Sequence, residues 1–345
     1  MSLTEATAPT EATDAGAATG PPAAWPDLSC YTTNLLAHLA PEVPGVRRRL
    51  GASVRLAVRL DLPAGELAFS HHPRLDRTPD GRELAYRGAA DWPTARAALL
   101  DQLAYDGRVL AAGNVRHLPW APGYGLSDAP HWLLLHGHRD GQWLVADHFA
   151  ALTPHGEQRP HRGWLTDTDL AAALTLVEDP PPEVSRRDRL ALGGEIPLPD
   201  TGPYRWLAWQ PTQPTQPTAD TRPGEPTDDP GPGTWSHDLA DSLTHIAAVF
   251  RDHPEALPRY VDDLWAAARH HTYRLACAVD DGALNPERAA ASAAAWGELP
   301  KALRFAAQSA ARGRPRPTVV DRALDQLRTA QADLDPTHRR KDDHG

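Results

Sequence analysis

The sequence predicts an α+β protein with an antiparallel sheet, followed by a C-terminal helical bundle region. Three observations carry that expectation. Between Asp27 and about Val177, strand-length apolar stretches alternate with helical periodicity, and two of them flank Asp140-Gly141, a dipeptide suited to a tight hairpin turn. From Trp235 on, the chain becomes Ala- and Leu-rich with helical spacing. Between these halves lies a proline-rich stretch unlike either.

Residues 1–25, poor in apolar side chains, read as a disordered tail, and 336–345 as a second one. Residues 26–178 form the mixed domain. A helix beginning near Cys30 must stop before Pro41, because the residue preceding a proline resists the helical conformation. Ala52 to Leu60 alternates over its second half and reads as a half-buried strand, and Glu66 to Ser70 as a shorter one. Asp91 to Ala104 is helical, with Asp91 as N-cap, Pro93 in the first turn and Leu99, Leu100 and Leu103 as its apolar stripe. Arg108 to Ala112 is a buried strand, and a loop from Gly113 to Asp128 leads to the hairpin 131–137 and 142–147. Ala171 to Val177 closes the domain as a short helix or strand.

Residues 179–234 read as an extended linker, with Pro180-Pro181-Pro182, a Pro-Thr-Gln repeat at 211–217 and Pro223 to Gly233. One apolar patch interrupts it, so a strand at 204–210 is expected on a sheet edge or docked on a neighbour. Residues 235–335 form the helical domain, with helices expected over 237–250, 257–279, 286–311 and 318–334.

Composition excludes several classes of function. A net charge of −10 argues against nucleic-acid binding, and the Arg47-Arg48-Arg49 and Arg312 to Arg316 runs read as solvated surface. No stretch approaches the ~18 apolar residues of a membrane span, and the N-terminus has neither the basic start nor the apolar run of a secretory signal. The two cysteines, Cys30 and Cys277, cannot make a disulfide framework, which points to a reducing, cytoplasmic setting. No glycine-rich phosphate loop is present, so neither ATP nor a dinucleotide is expected as a cofactor. His136-Gly137-His138 with Asp140 lacks a third ligand at useful spacing, so no metal is expected.

The residues with chemical promise are Cys30, His131 and Asp147. A cysteine in the first turn of a helix sits where the helix dipole favours a thiolate. An imidazole within reach would take up and return its proton, and a carboxylate on the far ring nitrogen would fix the tautomer. With a loop of three or four residues, the hairpin sets residue 131 opposite 147 or 148, which would make His131 and Asp147 neighbours. The plain alternatives are a buried, inert Cys30 and an Asp147 that only ends a strand. His148 is a rival base, and Cys277, mid-helix among Leu275, Ala276 and Ala278, reads as core.

The Cys30 helix, the segment Asp106 to Leu110 leading to Leu118-Pro119-Trp120, and the His131–Asp147 hairpin resemble the N-terminal domain of the butirosin-type aminoacyl transferases. That domain is similar to the bacteriocin leader peptidases of the papain-like superfamily. The likeness covers about residues 27–165. It implies a papain-like cysteine-protease-like core and a cysteine that takes an acyl group from a carrier-protein thioester and passes it to an amine. The implied roles are Cys30 as nucleophile, His131 as proton shuttle and Asp147 as orienting carboxylate. The implied partners are an acyl carrier protein or another thioester donor and a small-molecule acceptor, in the biosynthesis of a specialised metabolite such as an antibiotic. The chain departs from the pattern in having no glutamine before Cys30, the first being Gln102; in Asn114, where the family tends to carry an acidic residue; and in His148, where proline commonly follows the aspartate.

The Cys30 backbone amide or the Asn34 side chain is the expected oxyanion donor, Asn114 the other amide near the site, and Trp120 and Tyr124 the expected lining over the 113–128 loop. A hydrolase or cyclase using the same triad, thioesterase- or peptidase-like, stays open beside the acyltransferase, as does a noncatalytic papain-like binding scaffold. The helical region is free to cover the site, bind the partner or make a homo-oligomer.

Overall fold

Ser29 starts the first helix as its hydroxyl allows: its Oγ accepts from the Thr32 amide and caps α1 (Cys30–Leu39), whose Leu35, Leu36 and Leu39 are fully buried. The structure is a computed structural model and describes residues 26–200, 202–212 and 230–334. The expected tails and most of the Pro-Thr-Gln repeat lie outside the described residues.

A second short helix, α2 (Val46–Ser53), buries Val46 and Leu50, one turn apart, and leaves Arg47, Arg48 and Arg49 exposed. The strand expected over 52–60 therefore shrinks to β1 (Ala57–Arg59), and that over 66–70 to β2 (Phe69–Ser70). Two helical turns offer too few apolar repeats to stand out from the alternation beyond them. β3 (Arg82–Ala89) comes next, a strand the sequence did not announce. α3 (Trp92–Asp106) follows, capped by Asp91 as expected, with Oδ1 accepting from the Thr94 amide. Then come β4 (Val109–Asn114), β5 (Pro130–Arg139), β6 (Gln142–Asp147), the small hairpin β7 (Ala151–Thr153) and β8 (Gly156–Gln158), and β9 (His161–Thr166). α4 (Asp167–Ala173) lies slightly ahead of the helix or strand expected at 171–177.

The stretch read as a linker is where the structure differs most. It contains α5 (Pro182–Leu190) and β10 (Tyr204–Pro211). β10 is not on an edge: it lies between β3 and β4 in a six-stranded antiparallel sheet of order β3-β10-β4-β5-β6-β9. The strand itself was expected, but the prolines around it suggested an edge, although prolines at a strand's boundary cost no ladder hydrogen bond.

Both faces of this sheet are covered. Leu110, Ala112, Trp132, Leu134 and Leu207 pack with α1 and α2, while Val109, Ala111, Leu133, Leu135 and Trp206 pack with α3 and α4. Burial on both sides explains why β4 and β5 are nearly continuous apolar runs. The C-terminal half begins with β11 (Trp235–Ser236), which pairs with β1 in a small sheet of order β11-β1-β2. α6 (Leu239–Asp252), α7 (Leu257–Asp280), α8 (Pro286–Ala311) and α9 (Pro317–Ala332) follow, close to the expected spans. Their core takes in Leu56, Val58, Leu67 and Phe69 around the small sheet, so the N-terminal part of the chain is built into the bundle.

The inner position of β10 gives a direct expectation. Leu207 is 1 % exposed in the core under α1, so Leu207→Ala should lower stability by about 2–5 kcal/mol. Urea unfolding measures it, and a midpoint unchanged from wild type would restore the linker reading.

Candidate active site

Cys30 is the first residue of α1 and is half-buried, while His131 and Asp147 are buried. His131 Nε2 lies 2.9 Å from Asp147 Oδ2, which leaves Nδ1 for the Cys30 thiol, a hydrogen-bonding neighbour of the ring. His131 pairs with Gly113 of β4 across the sheet. A Cβ on Gly113 would come within 2.6 Å of the Ala173 carbonyl oxygen, so only glycine lets the end of α4 pack this close behind the strand beside His131.

The register expected for the hairpin is corrected. From Arg139↔Gln142 to Gly137↔Leu144 the ladder is regular, but a bulge at 136 shifts the next pairs to Leu135↔Val145 and Leu134↔Ala146. Counted on from there, residue 147 falls level with Leu133, and His131 meets Asp147 diagonally rather than directly across. Without the bulge, Asp147 would fall level with Leu134 and face away from His131, because successive residues alternate between faces.

Asp147 is the centre of the constellation. Its Oδ2 accepts from His131, from Trp120 Nε1 at 2.9 Å and from Gln158 Nε2 at 3.3 Å; its Oδ1 accepts from Asn34 Nδ2 at 3.2 Å and from the Phe149 amide at 3.0 Å. Asn34 is thus a brace, not the oxyanion donor it was expected to be. Its amide hydrogens face Asp147, the Trp132 carbonyl at 2.8 Å and the Cys30 carbonyl at 3.1 Å, while its Oδ1 accepts the His148 amide.

Trp120 is corrected in the same way. It stands behind Asp147, stacked on His161 at 4.1 Å, and is not part of the cavity wall. Asn114 caps the turn after β4, accepting the Arg116 and Ala129 amides and donating to Asp128, so it too is structural. Tyr124 is 55 % exposed and lies outside the cavity wall. The Ser29 cap uses the Thr32 amide, and the Ser29 carbonyl takes that of Thr33. The Cys30 and Tyr31 amides, in the first turn and at the cavity, are left as backbone donors for an oxyanion. Among the described residues, no group of three or more His, Cys, Asp or Glu is placed to hold a metal ion.

Part of the wall comes from the helical half, and no sequence signal assigns it there. The cavity, about 400 Å³, runs from Ser29, Cys30, His131 and Gln158 to Trp265 and Ala266 of α7. Arg269 of α7 donates from Nε to the Asp27 carbonyl at 3.0 Å and from its terminal nitrogen to the Ala150 carbonyl at 2.6 Å, tying together the chain before Cys30 and the chain after Asp147. Next to it, His270 Nδ1 donates to the Ala266 carbonyl at 2.6 Å. Its neutral Nε2 then accepts from Thr32 Oγ1 at 2.9 Å, two residues along the helix from Cys30. A buried histidine on an apolar helix face was the only local signal for this contact.

Electrostatics favour a charged histidine at the centre. Burial works against the protonated His131 ring, but the Asp147 carboxylate and Cys30 outweigh it and raise its pKa to about 10. Asp147 is pushed up by burial, yet the His131 charge and the donated hydrogen bonds hold it below the usual carboxylate range. A proton held on folded His131 up to about pH 10 but lost from the unfolded chain near pH 6.5 stabilises the fold fully below about pH 6.5. That contribution drains away as the pH rises through about 10. The Tm advantage of wild type over His131→Gln should therefore shrink steadily between those limits, and an advantage constant across them in calorimetry would contradict a proton on His131.

No protein-family model matches the chain, and no curated protein matches it, so the chemistry of these side chains is what a functional reading must rest on.

Proposed function

We propose that the protein is a cysteine-dependent acyltransferase of specialised metabolite biosynthesis, with a papain-like core akin to the butirosin-type aminoacyl transferases. The observation that carries this reading is the hydrogen-bonded His131–Asp147 pair beside the half-buried Cys30, with Cys30 and His131 in the wall of a cavity. The order Cys, His, Asp along the chain adds to it. So does the free thiol in a protein with one other cysteine, which suits a reducing cytoplasm.

In this reading the Cys30 sulfur, as thiolate beside protonated His131, bonds to the carbonyl carbon of a thioester from a carrier protein or similar donor. The oxyanion meets the Cys30 and Tyr31 amides. Collapse breaks the bond to the donor's sulfur, which leaves with the proton from His131, and Cys30 keeps the acyl group. An acceptor amine or hydroxyl then attacks that carbonyl and gives its proton to His131 as the Cys30 sulfur departs. Asp147 keeps Nδ1 of the ring turned to the sulfur in both halves of the cycle. Transfer is preferred to hydrolysis because the 115–130 and 152–158 segments line the cavity as well as Phe69, Leu190 and Trp265, which offers an acceptor a surface apart from the one that takes the acyl group.

Intact-mass spectrometry with N-acetylcysteamine thioesters tests this. Wild type should gain one acyl group and Cys30→Ala none, and His131→Ala should acylate about 10²–10⁴-fold more slowly. Passage of the group to added amines faster than to water supports transfer, whereas hydrolysis alone supports a thioesterase. No adduct, together with a Cys30 inert to iodoacetamide, would sink both.

A further inference from the structure

One part of the cavity wall, drawn from β2, Phe149, α5 and α7, is built largely of rings and small apolar side chains. Phe149 meets His131 edge-on at 5.5 Å and 66°, and Trp265 meets Phe149 edge-on at 6.2 Å and 80°. Phe69 stacks on His71 at 6.2 Å and 5°. Leu190, Ala191 and Ala266 fill in between.

Charge buried in this part of the wall is cancelled or absent. Arg187 and Asp263 close on each other through two hydrogen bonds of 2.8 and 2.7 Å, so that each neutralises the other's charge. Burial lowers the pKa of His71 to about 3 and that of His72 to about 4, so both rings are neutral at pH 7. An ammonium-bearing or carboxylate-bearing acyl group would lose its water here and find no unengaged counter-charge among these groups. Of the other charged side chains in the wall, Asp128 is engaged by Arg116, Asp262 is exposed and Arg304 is half-buried.

We infer that the cavity takes an uncharged aromatic acyl group, of phenylpropionyl or cinnamoyl size, seated against Phe69, Phe149 and Trp265 with its carbonyl at Cys30. The acyl linkage rests on the acyltransferase reading, the aromatic character on the walls alone. The volume, near the lower end of small-molecule sites at ~300–1,000 Å³, admits one ring and a short linker but not a long chain in addition to an acceptor. A wall of aromatic rings favours an aromatic guest over an aliphatic one of equal size, because offset-stacked and edge-to-face ring pairs add attraction beyond the area they bury.

The test uses the full chain with Cys30→Ala, which can bind thioesters but cannot take their acyl group. Phenylpropionyl-, hexanoyl- and 4-aminobutyryl-N-acetylcysteamine are titrated by calorimetry, and the same three are offered to wild type with mass detection. The phenylpropionyl compound should bind about tenfold or more tighter than the aminobutyryl one and measurably tighter than the hexanoyl one. Trp265→Leu, and independently Ala191→Phe to fill the space, should each weaken it about tenfold. Equal binding of all three, tighter binding of the aminobutyryl compound, or no binding of any would overturn the inference. Aromatic preference in binding with no adduct in wild type would uphold the aromatic pocket and overturn acyl transfer. Adducts formed without preference would do the reverse.

Discussion

Asp147 has no exposed surface, and a carboxylate in that position must be met by donors on nearly every lone pair. The donors come from five places in the chain: the ring of His131 in β5, the indole of Trp120 beyond the turn after β4, Asn34 in α1, Gln158 in β8 and the Phe149 amide in its own following turn. Satisfying one buried charge therefore fixes the helix that starts with Cys30 against the hairpin that carries the histidine. Cys30 and His131 need no strong attraction for each other to stay together. Both are held to the same carboxylate, Cys30 through the Asn34 side chain one turn along its helix and its hydrogen bond to the Cys30 carbonyl.

That convergence depends on which face of the sheet Asp147 points to, and the hairpin settles this in two steps. Asp140 at φ 50° and Gly141 at φ 72° make the two-residue turn whose backbone twist suits paired strands, so Arg139 and Gln142 pair directly. Taken alone, that register would put Asp147 on the face opposite His131. The extra residue at 136 reverses the parity before the strands reach the site. The turn was legible in the sequence because Asp-Gly is a local signal. The bulge was not, because a bulged residue is defined only by the count of partners on the neighbouring strand.

The same division between local and distant information runs through the rest of the molecule. The caps by Ser29 and Asp91, the strand containing Leu133 to Leu135 and the four bundle helices were readable, since each is written in a few neighbouring residues. The strand at 204–210 was legible as an apolar patch, but its inner place was not, because the proline content around it dominates a compositional window, whereas the sheet responds to Trp206 and Leu207 having an inner place to fill. Of the candidate site, Cys30, His131 and Asp147 were singled out by type and order, and the structure brings them together. The amides were not: Asn34 and Asn114 carry donors and acceptors that suit many roles, and only their actual partners separate a brace from a substrate contact.

The helical half bears on the site through shape rather than through reactive groups. Arg269 gives up water, and burial lowers its pKa, yet it finds two backbone carbonyls and the faces of Trp265 and Phe149 in return. Those carbonyls belong to Asp27 and Ala150, so the spacing of the two chain segments around Cys30 is set from α7. Cys30, His131 and Asp147 come from α1, β5 and β6, while Phe69, Leu190, Trp265 and Ala266 of the cavity wall come from β2, α5 and α7. The three candidate residues and this part of the wall are thus carried by different elements, joined by His270 on Thr32 and by Arg269 on the Asp27 and Ala150 carbonyls. Substitutions in the α7 wall can therefore change which group fits without touching the hydrogen bonds that converge on Asp147.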